Sequence, residues 1–227
     1  MGKGARAAAS ERCRGIFDGG ANHGYTTRKF LAEYPAAVVY AFEPDPITFG
    51  DLTVRFSAEG RVRLVNHALS SEAGVSRFHR GVDDTTSSFY PRNQSGRRYY
   101  RSHLVMKEEI SVSTTTLDDF CSRNQISRVN LLKLDLQGGE YRALSGATRL
   151  LSNQVIDVII SEFFVVPHYE GAPLLNEIWS LLRRHDYDLY DLLLCQYGRN
   201  GQARWGDAVF VSRAHRERRL DAAPEER

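Results

Sequence analysis

Cysteine is scarce: three residues in 227, at positions 13, 121 and 195, with no CxxC pair. That count and spacing exclude a secreted disulfide framework and argue against a zinc site, leaving small, buried, reduced thiols. Charge of one sign is missing too. Lys and Arg total 30 against 28 Asp and Glu, a net charge of +2, which indicates no nucleic-acid or membrane-surface partner. The arginines are scattered, apart from Arg97, Arg98 and Arg101 in one loop and a mixed-sign tail. No apolar run approaches the ~18 residues of a membrane span. The opening MGKGARAAASERC has no apolar h-region. No internal repeat is visible. A cytoplasmic protein, monomeric or homodimeric, is expected.

What is present is an ordinary globular composition long enough for one domain with a sizeable core. Residues 1–12 read as a flexible start, 13–213 as a single domain, and 214–227 as a charged tail. "RGIFDGGA" reads as a strand entering a Gly-rich turn. "YTTRKFLAEYP" has helical spacing and stops at Pro35. "AVVYAFEP" is a continuous β-branched and aromatic run, as suits a strand covered on both faces. "DPITFGDLTVRFS" is a second helix with Pro in its first turn, and "RVRLVNHALS" a third strand. "GVSRFHRG" is a short extra strand. "EISVSTTTLDDFCSRN" gives a polar strand and a helix start capped by Thr116 or Asp118. "VNLLKLDLQGGE" and "VIDVIISEFF" are core strands. "YRALSGATRLL" and "LLNEIWSLLRRHDYD" are helices.

This alternation predicts an α/β domain with a mainly parallel sheet and helices on both faces. The last two strands, "YDLYDLLL" and "WGDAVFVSR", are joined without room for a crossover helix, so they must pair antiparallel. Between them these features predict seven strands, mostly parallel, with one antiparallel strand near the C-terminus.

Residues 81–105 differ from the rest. The stretch is polar, aromatic and rich in turn formers, and a long loop inside a compact domain is usually functional. It is read as a lid over a small-molecule acceptor, with Ser87, Ser88, Tyr99 and Tyr100 as contacts. A plain surface loop is the alternative.

"IFDGGANHG" is the chemical focus. In open α/β sheets the ligand lies beyond the C-terminal strand ends. There Gly20 and Gly24 let backbone approach it, and Asp18 would face a cationic group. Glu43 ends the second strand, where a ribose-binding acid belongs; it could alternatively cap the next helix. A dinucleotide calls for G-x-G-x-x-G on a pyrophosphate. The chain instead has an acid directly before its glycines, which repels a pyrophosphate and attracts an ammonium. S-adenosyl-L-methionine (SAM) fits better on both counts.

Six segments in order, "FDGGANHG", "YAFEPDP", "VNHALSS", "TTLDDF", "LLKLDLQGGEYRALSGA" and "IISEF", resemble the FkbM family of SAM-dependent methyltransferases. The resemblance spans about residues 14–212. It implies a Rossmann-like class I methyltransferase fold and SAM as methyl donor, with S-adenosylhomocysteine as product. It also implies O-methylation of a hydroxyl on a sugar, polyketide or similar natural product. By position, Asp18, Gly20, Ala21, Asn22 and Gly24 match the family's first SAM motif, and Glu43 with Pro44 the ribose acid. Asn66 to Ala68 match the stretch beside the adenine, although Asn66 could equally bond backbone in a turn. Asp135 matches the acid closing the fourth strand. Gln137 stands where many members carry Glu.

Methyl transfer to an alcohol needs in-line alignment and removal of a proton. Asp135, Glu162 and His168 are the candidate catalytic groups, with Lys133 a partner for Asp135 or Glu162. His168 could also be an ordinary surface histidine, and His23 lies within the SAM turn. A divalent metal such as magnesium is compatible with these carboxylates, but no spacing specifies one and none is assigned. The alternative functions are an N-methyltransferase of a small molecule or peptide and a non-catalytic SAM-binding module. A nicotinamide-dependent oxidoreductase is more distant.

Overall fold

The computed structural model describes residues 13–82, 84–92 and 106–221. Successive residues of the core strands face opposite ways, and both faces are apolar. Phe17, Leu132, Ile159 and Phe210 enter one buried cluster. Their neighbours Ile16, Leu131, Val158 and Val209 enter the other. A sheet built from such runs must be sandwiched between helices.

The chain forms β1 (Gly15–Gly19), α1 (Tyr25–Glu33), β2 (Val38–Phe42), α2 (Pro46–Arg55), β3 (Val62–Val65), β4 (Ala68–Leu69) and β5 (Gly74–Gly81). Then come β6 (Met106–Thr115), α3 (Leu117–Arg123), β7 (Val129–Leu134), α4 (Glu140–Ser145) and α5 (Thr148–Ser152). β8 (Ile156–Phe164), α6 (Leu175–Arg183), β9 (Tyr187–Tyr197) and β10 (Ala203–Ser212) complete it. The seven-stranded sheet runs β3-β2-β1-β7-β8-β10-β9. β10 lies antiparallel between β8 and β9, as the short final connection requires. Every residue of β8 is buried.

The helix starts follow local chemistry. Asp45 caps α2, its Oδ1 accepting the Ile47 N–H at 2.9 Å, with Pro46 behind it. Thr116 caps α3 through the Asp119 N–H at 2.9 Å. Asp118, the other candidate, accepts instead from the Arg149 and Leu150 N–H groups and ties down the start of α5.

Two segments differ from expectation. "RVRLVNHALS" is not one strand: after β3 the Asn66 side chain donates to the carbonyls of Glu43 and Pro44 at 2.8 and 3.1 Å. The chain then leaves the main sheet. β4 joins a separate three-stranded sheet, β4-β6-β5. The expected tail is structured in part, since Arg213–His215 and Arg216–Leu220 form helical turns. Buried Asp157, at the start of β8, holds them. It accepts from Arg128 and Asn130 and lies 3.2 Å from His215 Nδ1 and 3.3 Å from Arg218.

Candidate functional site

The parallel strands β1, β2 and β7 end side by side, and the turns leaving them interlock. The N–H groups of Gly20 and Ala21 donate to the Phe42 carbonyl at 3.1 and 2.9 Å, and the Asp135 N–H to the Gly19 carbonyl at 3.1 Å. Gly20 has φ +76°, and a Cβ on it would lie 2.0 Å from the Asp135 carbonyl oxygen. Only glycine fits there. Asn22 follows in the left-handed region at φ 46°, which Asn tolerates best after glycine.

These turns border an open cleft. On one side stands Glu43. Its Oε2 accepts the Asn22 N–H and its Oε1 the Asp45 N–H, both at 2.9 Å. The carboxylate is thus fixed in place. Phe42, Pro44, Ala68, Leu69 and Phe78 give the wall an apolar stretch, and Asp135 and Gln137 close the other side. A fixed acid beside an apolar slot matches the ribose and base of SAM. On this donor set the residues fit that cofactor.

Asp135 sits at the centre of a polar network. Lys133 Nζ lies 2.8 Å from its Oδ2, and Gln137 Nε2 donates to its Oδ1 at 2.9 Å. The same Gln137 nitrogen donates to Glu162 Oε2 at 2.9 Å. Partial removal from water pushes the Asp135 carboxyl up, but the Lys133 charge and the hydrogen bonds from Lys133, Gln137 and Glu162 outweigh it. The group ends below the usual carboxylate range. Glu162 goes the other way: burial, and then the charge of Asp135, hold it well above its ordinary value. The two carboxyls are thus pushed apart, Asp135 being the one that ionises first. Burial also pushes Glu140 up to about 8. Among the described residues no group of three or more His, Cys, Asp or Glu side chains could hold a metal ion.

The remaining expected residues fall into three sets. Gly20, Ala21, Asn22, Glu43, Pro44, Ala68, Ser87 and Asp135 border the cleft. Asp18, Gly24, Asn66, Ser88, Glu162 and His168 stand behind its wall. Asp18 is fully buried and accepts from Thr27 Oγ1 of α1 at 2.6 Å. It pairs in register with Ala41 and Lys133 and is not among the residues bordering the cleft. Asn66 bonds backbone, as described above. His168 stacks on Phe164 at 5.1 Å, and its Nε2 meets Arg92 Nη1. Burial and the Arg92 charge hold it down at about 3. Tyr99 and Tyr100 lie outside the described residues, as does most of the expected lid. His23 stands 3.8 Å from Asp51.

Sequence reasoning missed Tyr25, Thr26, His67, Phe78 and Phe89, which also border the cleft. The two phenylalanines were the available signal: each is an apolar residue in an otherwise polar stretch. They meet edge to face at 5.5 Å.

A seven-stranded sheet in this order, with one antiparallel strand and a ligand cleft beyond β1 and β2, defines the class I methyltransferase fold. The same fold is seen in magnesium protoporphyrin IX methyltransferase from Synechocystis PCC 6803, solved with bound SAM, at TM-score 0.51 and 11% identity over 91% of this chain and 74% of that one. The Methyltransferase FkbM domain matches residues 18–189. The chain belongs to the FkbM family of SAM-dependent methyltransferases. It is 31% identical over 173 residues to the 2-O-methyltransferase NoeI of Sinorhizobium fredii, covering 74% of this chain and 70% of that protein. It is 30% identical over 194 residues to the 31-O-demethyl-FK506 methyltransferase FkbM of Streptomyces tacrolimicus, covering 76% and 72%. The hexuronic acid methyltransferase AglP of Haloferax volcanii is 29% identical over 160 residues, covering 66% and 60%. No helix among the described residues is long and apolar enough to cross a membrane.

Proposed function

We propose that this methyltransferase transfers the methyl group of SAM to a hydroxyl of a small natural product or sugar. The observation that carries the reading is the cleft itself, which Glu43, Asp135, Gln137 and Ser87 all border. The relatives named above support the choice of oxygen, since the names of two of them specify O-methylation.

Bound SAM supplies an electrophilic methyl group on a sulfonium. Glu43 would accept hydrogen bonds from its ribose hydroxyls, and the backbone of Gly20 to Asn22, with Pro44 and Ala68, would line the rest of the cofactor. Asp18, Gly24 and Asn66 brace these turns. Asp135 is the group that would meet the acceptor hydroxyl, orienting its O–H and taking its proton; the methyl would pass from sulfur to that oxygen, leaving S-adenosylhomocysteine. With its low proton affinity Asp135 would then pass that proton to solvent. Glu162 stands behind Asp135, and His168, neutral and engaged by Arg92, serves the surrounding scaffold. Ser87 contacts the acceptor.

Calorimetry with S-adenosylhomocysteine, followed by methyl-labelled SAM and a panel of sugar and polyketide hydroxyls, tests the reading. A bound product analogue and an O-linked label in the product's fragmentation spectrum are expected. A label on nitrogen would overturn the oxygen assignment, and absence of binding would overturn the cofactor site.

A further inference from the structure

Gln137 is asked to do three things at once. Its Nε2 donates to Asp135 and to Glu162, and its Oε1 accepts from the Tyr169 hydroxyl at 2.6 Å. An amide has one donor end and one acceptor end. Two carboxyl oxygens claim the donor end, so Tyr169 must be the donor that claims the other. A carboxylate at position 137 could not donate to either acid. The residue also holds a left-handed backbone at φ 53°, which costs energy unless its surroundings enforce it.

Those surroundings are the segment 84–92. Ser88 Oγ donates to the Gln137 carbonyl at 2.6 Å. The Tyr169 hydroxyl lies 3.2 Å from the Thr86 carbonyl, and Arg92 donates to that same carbonyl at 2.9 Å. The Arg92 guanidinium covers the Tyr169 ring at 4.3 Å. Residues 92 and 169 also pair as an isolated bridge, and the Glu170 N–H donates to the Pro91 carbonyl at 2.9 Å. Tyr169 is 1% exposed, so its hydroxyl is there for these contacts and not for water.

We infer that Tyr169 is a positioning residue which, through Gln137, couples the seating of segment 84–92 to the orientation of the Asp135 carboxylate. The inference rests on the reading of Asp135 as the group that meets the acceptor. With the segment seated, Tyr169 fixes the amide, and the amide presents its nitrogen to both acids. With the segment displaced, Gln137 loses Ser88, the Arg92 cover and the 92–169 bridge no longer fix the Tyr169 ring, and with the hydroxyl withdrawn from its Oε1 the amide can turn its oxygen toward Asp135. The carboxylate is then held by Lys133 alone among its side-chain donors on β7 and the following turn. An acceptor that seats the segment thereby prepares its own base. Other charges face this group: Lys133 and Asp18 from β7 and β1, Glu140 from α4, Asp207 from β10, and Arg92 beyond Tyr169. Neither variant below removes or adds any of these charges.

The test needs no acceptor. Carboxyl-13C titration of Asp135, assigned with D135N, is compared in the wild type, Tyr169→Phe and Ser88→Ala, with calorimetry of S-adenosylhomocysteine on each. Tyr169→Phe keeps the ring and its stacking. Its Asp135 midpoint is expected to rise by about 0.5–1 unit, because a donated hydrogen bond that favours the ionised form is lost. Ser88→Ala is expected to shift it in the same direction by less. Affinity for S-adenosylhomocysteine should stay within about twofold, since both side chains lie behind the cleft wall. An Asp135 midpoint unmoved in both variants, with the product analogue still bound, overturns the inference alone. Failure of the wild type to bind the analogue overturns the reading of the cleft instead.

Discussion

Arg80 grips Asp45 through two bonds, Nε to Oδ2 at 2.5 Å and Nη2 to Oδ1 at 2.8 Å. Both side chains are nearly buried, at 10% and 5% exposure, and Arg80 also meets Glu108. The pair pins β5, in the small sheet, to the N-cap of α2. The Asp45 N–H in turn donates to Glu43. The edge of the cleft and the small sheet are therefore one mechanical unit. Arg80→Ala strands a buried carboxylate and is expected to destabilise the protein by about 3–5 kcal/mol in urea unfolding. Arg80→Lys, which cannot make the forked contact, should recover only part of that.

Glu43→Gln tests the fixed acid. An amide nitrogen would face one of the two N–H groups that the carboxylate now accepts, and the charge is lost. The affinity for S-adenosylhomocysteine should fall by about 10–100-fold, as for the loss of a charged hydrogen bond. Calorimetry at constant ionic strength reads it directly.

Gly20→Ala is expected to abolish that binding altogether. The added methyl would overlap the Asp135 carbonyl, at a φ that disfavours alanine, so the turns of β1 and β7 must part. The strain should cost at least about 1–3 kcal/mol of stability as well. A crystal structure of the variant or its urea midpoint decides the matter.

His168 predicts a pH dependence. Its native value is held down at about 3, below the ~6.5 of an unfolded histidine. In that window the unfolded chain takes up a proton that the native state refuses. Stability is therefore lost as pH falls from about 6.5 toward 3. His168→Phe, which preserves the stacking on Phe164, should remove about 1–3 kcal/mol of that loss at pH 4.5. Urea midpoints of both proteins at pH 7 and 4.5 separate this effect from the carboxylates that titrate in the same range.

The main sheet was legible because its strands carry their own signature. β7 and β8 carry apolar residues on both faces, as a doubly covered strand does, and the short β9–β10 connection dictated its antiparallel pairing. The Gly20 turn and Glu43 were legible for a related reason: both stand at strand ends that the topology brings together. The Tyr169–Gln137 and Arg80–Asp45 contacts were not. Their partners are 32 and 35 residues apart; the first contact depends on the paths of the loops leaving β8 and β7, the second on the packing of the small sheet. Asp18 marks the same limit at close range. Its place beside the glycines was plain in the sequence, but whether it faced a ligand or Thr27 depended on how α1 lies over β1.

The small sheet begins and ends at one place. Ala68–Leu69 pairs in parallel register with Thr114–Thr115, so the 44 residues between positions 69 and 114 leave and rejoin the domain side by side. Closing a longer or shorter excursion from such a doorway changes the loop entropy only slowly with length. The doorway alone does not make the stretch exchangeable: a replacement would have to match the two-residue seam and also carry Arg80, Ser88 and Arg92, whose partners Asp45, Gln137 and Tyr169 lie outside it.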